Sequence, residues 1–170
     1  MSKLVSFQEA IAKCTEWIRL WDQGELSDDV LADEVGALVG ERDGARGFFV
    51  ASLTSDSPLM DRLPEPLVYQ LRLAGEGVVD LTVRNLAMST AMGVHHKRNH
   101  DQSMFAGSRR VRSRCLELLR MLEPHQVKTR VEKLVDGINS IGEDKEFLSR
   151  WGYDDEQISE IEAAINEIAK

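Results

Sequence analysis

The stretch "GVVDLTVRNLAMSTAMGVHH", residues 77–96, decides the fold. Its apolar residues recur at helical spacing, but they are distributed around the helix instead of lining one face. The small residues Ala87, Ala91 and Gly93 fit the same pattern. We therefore predict a central apolar helix over residues 77–96, with neighbouring helices packed on several of its sides.

The flanking segments also repeat at helical period, and several carry recognisable helix starts. Ser27 is placed to cap one helix, Pro124 suits the first turn of another, and Asp154 with Gln157 has capping-box spacing. The segment 45–54, "ARGFFVASLT", is short and apolar and favours a buried helix, with a strand over Phe48 to Val50 as the alternative. The residues before it, "GERDG" (40–44), are expected to break the chain.

The pattern as a whole predicts an all-α fold. We expect one domain over residues 1–170, built as a bundle of about seven to nine helices around the central helix. A chain of this length can bury a substantial core without disulfides.

Composition limits the classes of function. The net charge is −8, which disfavours binding of nucleic acid or an anionic membrane by the surface as a whole. No uninterrupted apolar run reaches the length of a membrane span, and the N-terminal residues lack a secretion signal. Cys14 and Cys115 lie far apart on apolar helical faces, so we expect two buried, reduced thiols. These features predict a cytoplasmic protein without membrane insertion.

Charge is unevenly distributed along the chain. Residues 93–114 contain six Lys or Arg and one acid, a local charge of +5, so the remainder of the chain carries −13. Residues 22–43 hold eight acids and one Arg, and residues 141–170 hold nine acids and three bases. Such segregation predicts a local positive field, because charges within about 8–10 Å reinforce one another before salt screens them.

Two interpretations of this basic segment compete. In one, it packs beside an acidic helix of the same chain or of a second copy. In the other, it binds an acidic protein or a phosphate-bearing ligand, since arginine forks match carboxylate and phosphate. Nucleic acid is not an expected partner, because Phe105 is the only aromatic residue of the segment and offers no stacking platform. The predicted partner-binding residues are Lys97, Arg98, Arg109, Arg110, Arg112 and Arg114.

Three of the four histidines lie at positions 95, 96 and 100. If His96 and His100 share one helical face, they could hold a metal ion with Asp101 as an oxygen ligand. The neighbouring positive charges of Lys97 and Arg98 oppose a cation there. The competing explanation is a helix end, at which Asn99 adopts the left-handed conformation and Asp101 caps the next helix. A third is a pH-sensitive anion patch formed by the histidines and nearby arginines.

Three phrases carry a family resemblance: "RGFFVASLTSDSPLMDRLPEPL" (46–67), "GEGVVDLTVRNLAMSTAM" (75–92) and "FLSRWGYDDEQ" (147–157). They resemble an uncharacterised family of small helical proteins of cyanobacteria, over residues 45–165. The resemblance implies a soluble cytoplasmic protein and transfers no activity, ligand or catalytic residue.

The sequence thus favours a non-enzymatic interaction or regulatory module that binds an acidic or phosphate-bearing partner through residues 93–114. We expect no cofactor under this hypothesis. One alternative is a metal-dependent helical-bundle enzyme that uses His96, His100 and Asp101, and another is a structural homo-oligomer. No phosphate-binding loop, nucleophile elbow or Cys-x-x-Cys motif occurs in the sequence.

Overall fold

A computed structural model describes residues 4–169, and within them the chain is helical without strands. The predicted all-α class is therefore confirmed. The α-helices of this part of the chain are α1 (Phe7–Asp22), α2 (Asp28–Val39), α3 (Arg42–Leu53), α4 (Glu65–Ala74), α5 (Glu76–Arg98), α6 (Gln102–Met121), α7 (Pro124–Ile138), α8 (Asp144–Arg150) and α9 (Asp155–Ile168). A short 3-10 helix spans Pro58–Met60.

The contacts divide the chain into two compact units, the first ending at Leu81 and the second beginning at Thr82. The boundary falls inside α5. The expectation of a single domain stays a prediction. Among the described residues, no helix combines the length and the apolar character needed to cross a bilayer.

In the first unit, α1 packs on α3 and α2 packs on α4. The closest approach is at Gly47 of α3, where an added Cβ would overlap the Cβ of Ala10 and lie 3.0 Å from the carbonyl oxygen of Phe7. Glycine at this position lets the backbones of α1 and α3 come together. Residues 45–53 belong to α3, whose buried residues include Phe48 and Phe49, and the strand alternative for Phe48 to Val50 is wrong.

Most helix ends follow the local signals of the sequence. The Ser27 side chain accepts a hydrogen bond from the Val30 N–H at 3.2 Å, and Pro124 opens α7. Asp154 and Gln157 form a complete capping box at the start of α9. The break expected over residues 40–44 is wrong in part, because α3 already begins at Arg42 and includes Gly44, which packs against the carbonyl group of Leu38.

Helix α5 covers the predicted central segment and extends two residues past it. Its buried residues form an arc wider than half the circumference at the helical repeat, and they include Val78, Val83, Leu86, Ala87, Thr90, Ala91 and Val94. The opposite side is more open, since Met92 is 41% exposed. The broad apolar arc agrees with the sequence pattern of this segment.

The second unit contains a buried ion pair. Both terminal nitrogens of the Arg130 guanidinium in α7 donate to the carboxylate of Asp144 in α8, at 2.5 and 3.2 Å. Arg130 is 8% exposed and Asp144 is 1% exposed. Next to this pair, an added Cβ at Gly137 would lie 2.6 Å from the Cβ of Asp144, so α7 and α8 approach closely here.

We expect Gly47→Ala to lower the free energy of unfolding by about 1–3 kcal/mol, because the new methyl group meets the backbone of α1. Gly107→Ala in α6 is the control, since nothing lies within 4 Å of a Cβ at that position. That change should stabilise the protein by about 0.5–1 kcal/mol through helix propensity. Urea denaturation measures both, and a neutral Gly47→Ala would contradict the close approach.

We expect Asp144→Ala to cost about 3–5 kcal/mol of stability, because it leaves the Arg130 guanidinium buried without its carboxylate. Alanine keeps the Cβ that packs on Gly137, so the loss reports the ion pair. The matched control is Glu143→Ala, which removes a neighbouring exposed carboxylate paired with Lys133. Thermal unfolding that is equally affected by the two changes would refute a special contribution of the buried pair.

Candidate functional site

The predicted histidine cluster lies at the corner where α5 ends and α6 begins. The N–H of Asp101 donates to the carbonyl oxygen of His96 at 2.9 Å, and the N–H of His100 donates to that of Lys97 at 3.1 Å. These two bonds, with a φ of 57° at His100, define a Schellman helix end. The left-handed residue is therefore His100, and its assignment to Asn99 is wrong by one position.

Asp101 serves both helices at this corner. Its backbone N–H completes the end of α5, and its carboxylate accepts the Met104 N–H at 3.1 Å at the start of α6. The predicted capping by Asp101 is confirmed. The helix-end explanation of the histidine cluster therefore accounts for His100 and Asp101, but it leaves the side chain of His96 to be explained.

The three histidines differ in their surroundings. His95 is exposed and its Nε2 atom lies 3.1 Å from the side-chain nitrogen of Asn99. His96 is buried, and its ring meets that of His95 edge to face at a centroid distance of 5.4 Å. His100 is exposed and lies past the end of α5.

This arrangement changes the geometry assumed for a metal site. Because α5 ends at Arg98, His96 and His100 do not occupy successive turns of one helix. Within residues 4–169, no three His, Cys, Asp or Glu side chains are grouped so that they could hold a metal ion. The metal hypothesis assumed that His96 and His100 share a helical face, and this assumption is wrong. His96, His100 and Asp101 nevertheless line one pocket.

Arg98 is paired with the chain's own acidic C-terminal segment. Its guanidinium donates to both carboxylate oxygens of Asp154, at 2.6 and 3.1 Å, and to Glu156 at 2.8 Å. The hydrogen bonds from Arg98, with the backbone N–H of Gln157, lower the pKa of Asp154 to about 2. This contact joins the end of α5 to the start of α9, as the internal-pairing interpretation of the basic segment predicts.

Arg112 and Arg114 do not form part of an open surface. They are 7% and 1% exposed, and Arg112 pairs with Glu167 at 3.2 Å. The surface hypothesis required these two side chains to face solvent, and this part of it is wrong. The physical reason is the helical period, which places Arg112 three residues before Cys115 and Arg114 four residues before Leu118, both fully buried.

Lys97, Arg109 and Arg110 are the exposed cationic side chains of residues 93–114 apart from Arg98. Lys97 and Arg109 make no ion pair with any residue that the structure describes. The sequence prediction placed six cations together on one surface. The structure divides them into an internally paired or buried group (Arg98, Arg112 and Arg114) and this exposed group.

A small pocket opens at the α5–α6 corner. Its volume is about 190 Å³, and its lining residues are His96, Lys97, His100, Asp101, Gln102 and Phe105. The two helices face each other beside it, since a Cβ added at Gly93 would lie 3.8 Å from the Phe105 ring and 3.9 Å from the Cβ of Ser108, which are ordinary van der Waals distances. Reasoning from sequence missed Gln102 and Phe105, although their position directly after the Asp101 cap placed them in the first turn of α6.

The comparisons with known proteins give a family for the chain. Residues 6–168 match the family described as "Uncharacterised conserved protein UCP020893". The chain belongs to this family. Its description assigns no activity, which agrees with the resemblance seen in the sequence. Neither a curated protein nor a solved structure matches the chain.

The lowered pKa of Asp154 predicts an acid-sensitive link between α5 and α9. Because the folded-state pKa lies below the ordinary value of 3.8, ionised Asp154 stabilises the fold fully above that pH and loses this contribution as the pH falls towards 2. In Arg98→Met, we expect the Asp154 pKa to rise towards 3.8. Carboxyl NMR titration measures it, and Arg120→Met is the control that should leave it unchanged.

Proposed function

We propose that this protein is a non-enzymatic binding module that takes an anionic partner, an acidic protein or a phosphate-bearing ligand, through the exposed part of its basic segment. The observation that carries the proposal is the presence of Lys97 and Arg109 on the surface without an ion pair among the described residues. In a chain of net charge −8, such cations are available to an external carboxylate or phosphate.

Internal pairing of the other arginines supports the same surface. Arg98 and Arg112 meet carboxylates contributed by the acidic C-terminal segment, which neutralises those groups and fixes α9 against α5 and α6. These contacts link α9 to the helices that present Lys97 and Arg109. A surface that is fixed before binding loses less conformational entropy when a partner docks.

The binding should depend on charge and on salt. Contacts between exposed charges are screened over about 8 Å at physiological ionic strength, so affinity should fall as salt is raised. Complementary charge contributes mainly to association rate and to choice of partner. We therefore expect a moderate affinity that distinguishes acidic from neutral partners.

The test is a double charge reversal, Lys97→Glu with Arg109→Glu. We expect it to weaken binding of a glutamate-rich, phosphoserine-containing peptide by about tenfold or more, as measured by fluorescence anisotropy at low salt. Circular dichroism should show unchanged helicity, because both side chains are exposed.

The matched control is Lys13→Glu with Lys128→Glu. These lysines are also exposed and the double variant has the same net charge, but neither residue lies in the basic segment. Equal losses of binding in both double variants would mean that only the total charge matters, and the proposed surface would be rejected.

A further inference from the structure

The His96 side chain is largely buried, and neither of its ring nitrogens is fully enclosed by protein atoms. It is 9% exposed, and its ring nitrogens make no hydrogen bond with a residue in the described part of the chain. A neutral imidazole carries one N–H donor and one acceptor nitrogen, and in His96 both remain available to solvent or to a ligand. The ring lines the pocket at the α5–α6 corner, so a molecule in that pocket can satisfy it.

The start of α6 offers further donors to the same pocket. The N–H of Met104 is taken by the Asp101 side chain and that of Phe105 by the Asp101 carbonyl oxygen. The amide groups of Gln102 and Ser103, at the first two helical positions, have no partner within the helix, and of these two residues Gln102 lines the pocket. Unpaired amides at a helix N-terminus bind oxyanions, and the helix dipole favours negative charge there.

Charge at the pocket is mixed. The Lys97 ammonium lines it and makes no ion pair with a described residue, so it is free to meet an anion. Asp101 opposes an anion, but one of its carboxylate oxygens already accepts the Met104 N–H. Lys97 also disfavours a metal cation, in agreement with the lack of a three-ligand group within residues 4–169.

We propose that this pocket binds a single phosphate monoester group. A phosphate has three acceptor oxygens, which suit donors that come from three sources: the imidazole of His96, the ammonium of Lys97 and the amides that open α6. The volume of about 190 Å³ holds the phosphate and a few further atoms, with Phe105 as an apolar wall. This inference rests on the proposed function and names the ligand chemistry of part of its surface.

The phosphate could belong to a small phosphorylated metabolite or to a phosphoserine in a protein. We would titrate ¹⁵N-labelled protein with inorganic phosphate, with free phosphoserine and with a phosphoserine peptide, each at matched ionic strength. We expect saturable shifts of the Gln102 and Ser103 amides and of the His96 ring. Equal affinity for phosphoserine and the peptide indicates a small ligand, and tighter binding of the peptide indicates a protein partner.

Three variants test the site, two of them at exposed positions. Lys97→Met removes an exposed charge and should weaken phosphate binding about tenfold, whereas Lys128→Met, the same change on α7, should not. Gln102→Pro removes one amide donor at a position where proline suits a helix start, and it should weaken binding about threefold to tenfold. His96→Phe keeps a ring and removes both nitrogens, so it should abolish saturation while circular dichroism shows unchanged helicity.

Shifts that grow linearly, that chloride reproduces, or that persist unchanged in both Lys97→Met and Gln102→Pro would overturn the proposal. Arg109→Glu separates this outcome from failure of the proposed function, because Arg109 does not line the pocket. That variant should weaken the acidic peptide and leave inorganic phosphate unaffected. If Arg109→Glu leaves peptide binding unchanged while inorganic phosphate still saturates the pocket, the proposed surface is rejected and the pocket is kept. If Arg109→Glu weakens peptide binding but phosphate does not saturate the pocket, only the pocket is rejected.

Discussion

The cost of removing a guanidinium from water is the constraint on which the second unit depends. A buried charge must meet an opposite charge and hydrogen-bond acceptors, or it opposes folding. Arg130 meets this requirement with Asp144, and Arg112 meets part of it with Glu167. Each pair fixes one helix against another, α7 against α8 and α6 against α9. The acidic C-terminal segment is therefore a structural counterpart of the basic one.

The hydrogen-bonding groups of the Arg112 guanidinium are only partly paired. Its Nε atom is buried without a hydrogen-bond partner, although one terminal nitrogen reaches Glu167. The backbone carbonyl oxygen of the same glutamate accepts a hydrogen bond from the Arg120 guanidinium at 2.8 Å. Two arginines of α6 thus converge on one residue near the end of α9. The Glu167 carboxylate offsets the charge of Arg112, whereas Lys97 and Arg109 have no ion pair with a described residue.

The sequence predicted local structure well because helix ends depend on nearby residues. A serine hydroxyl, a proline ring or an Asp–Gln pair acts on backbone groups within one turn, so Ser27, Pro124 and Asp154 could be recognised without any tertiary information. The error at Asn99 has the same local origin, since residues 99 and 100 both precede a capping aspartate. Only the complete hydrogen-bond pattern decides which of them takes the left-handed conformation.

The division of the arginines could not be predicted with the same ease, although the spacing contained part of the signal. Arg112 and Arg114 fall on the same helical repeat as Cys115, Leu118 and Leu119, and this repeat predicts a buried position for any residue type. Arginine is so rarely buried that its chemical type outweighed its position. Burial became possible because carboxylates distant in sequence, such as Glu167, lie within reach. Lys97 and Arg109 are the cations of this segment that keep no ion pair with a described residue once these internal requirements are met.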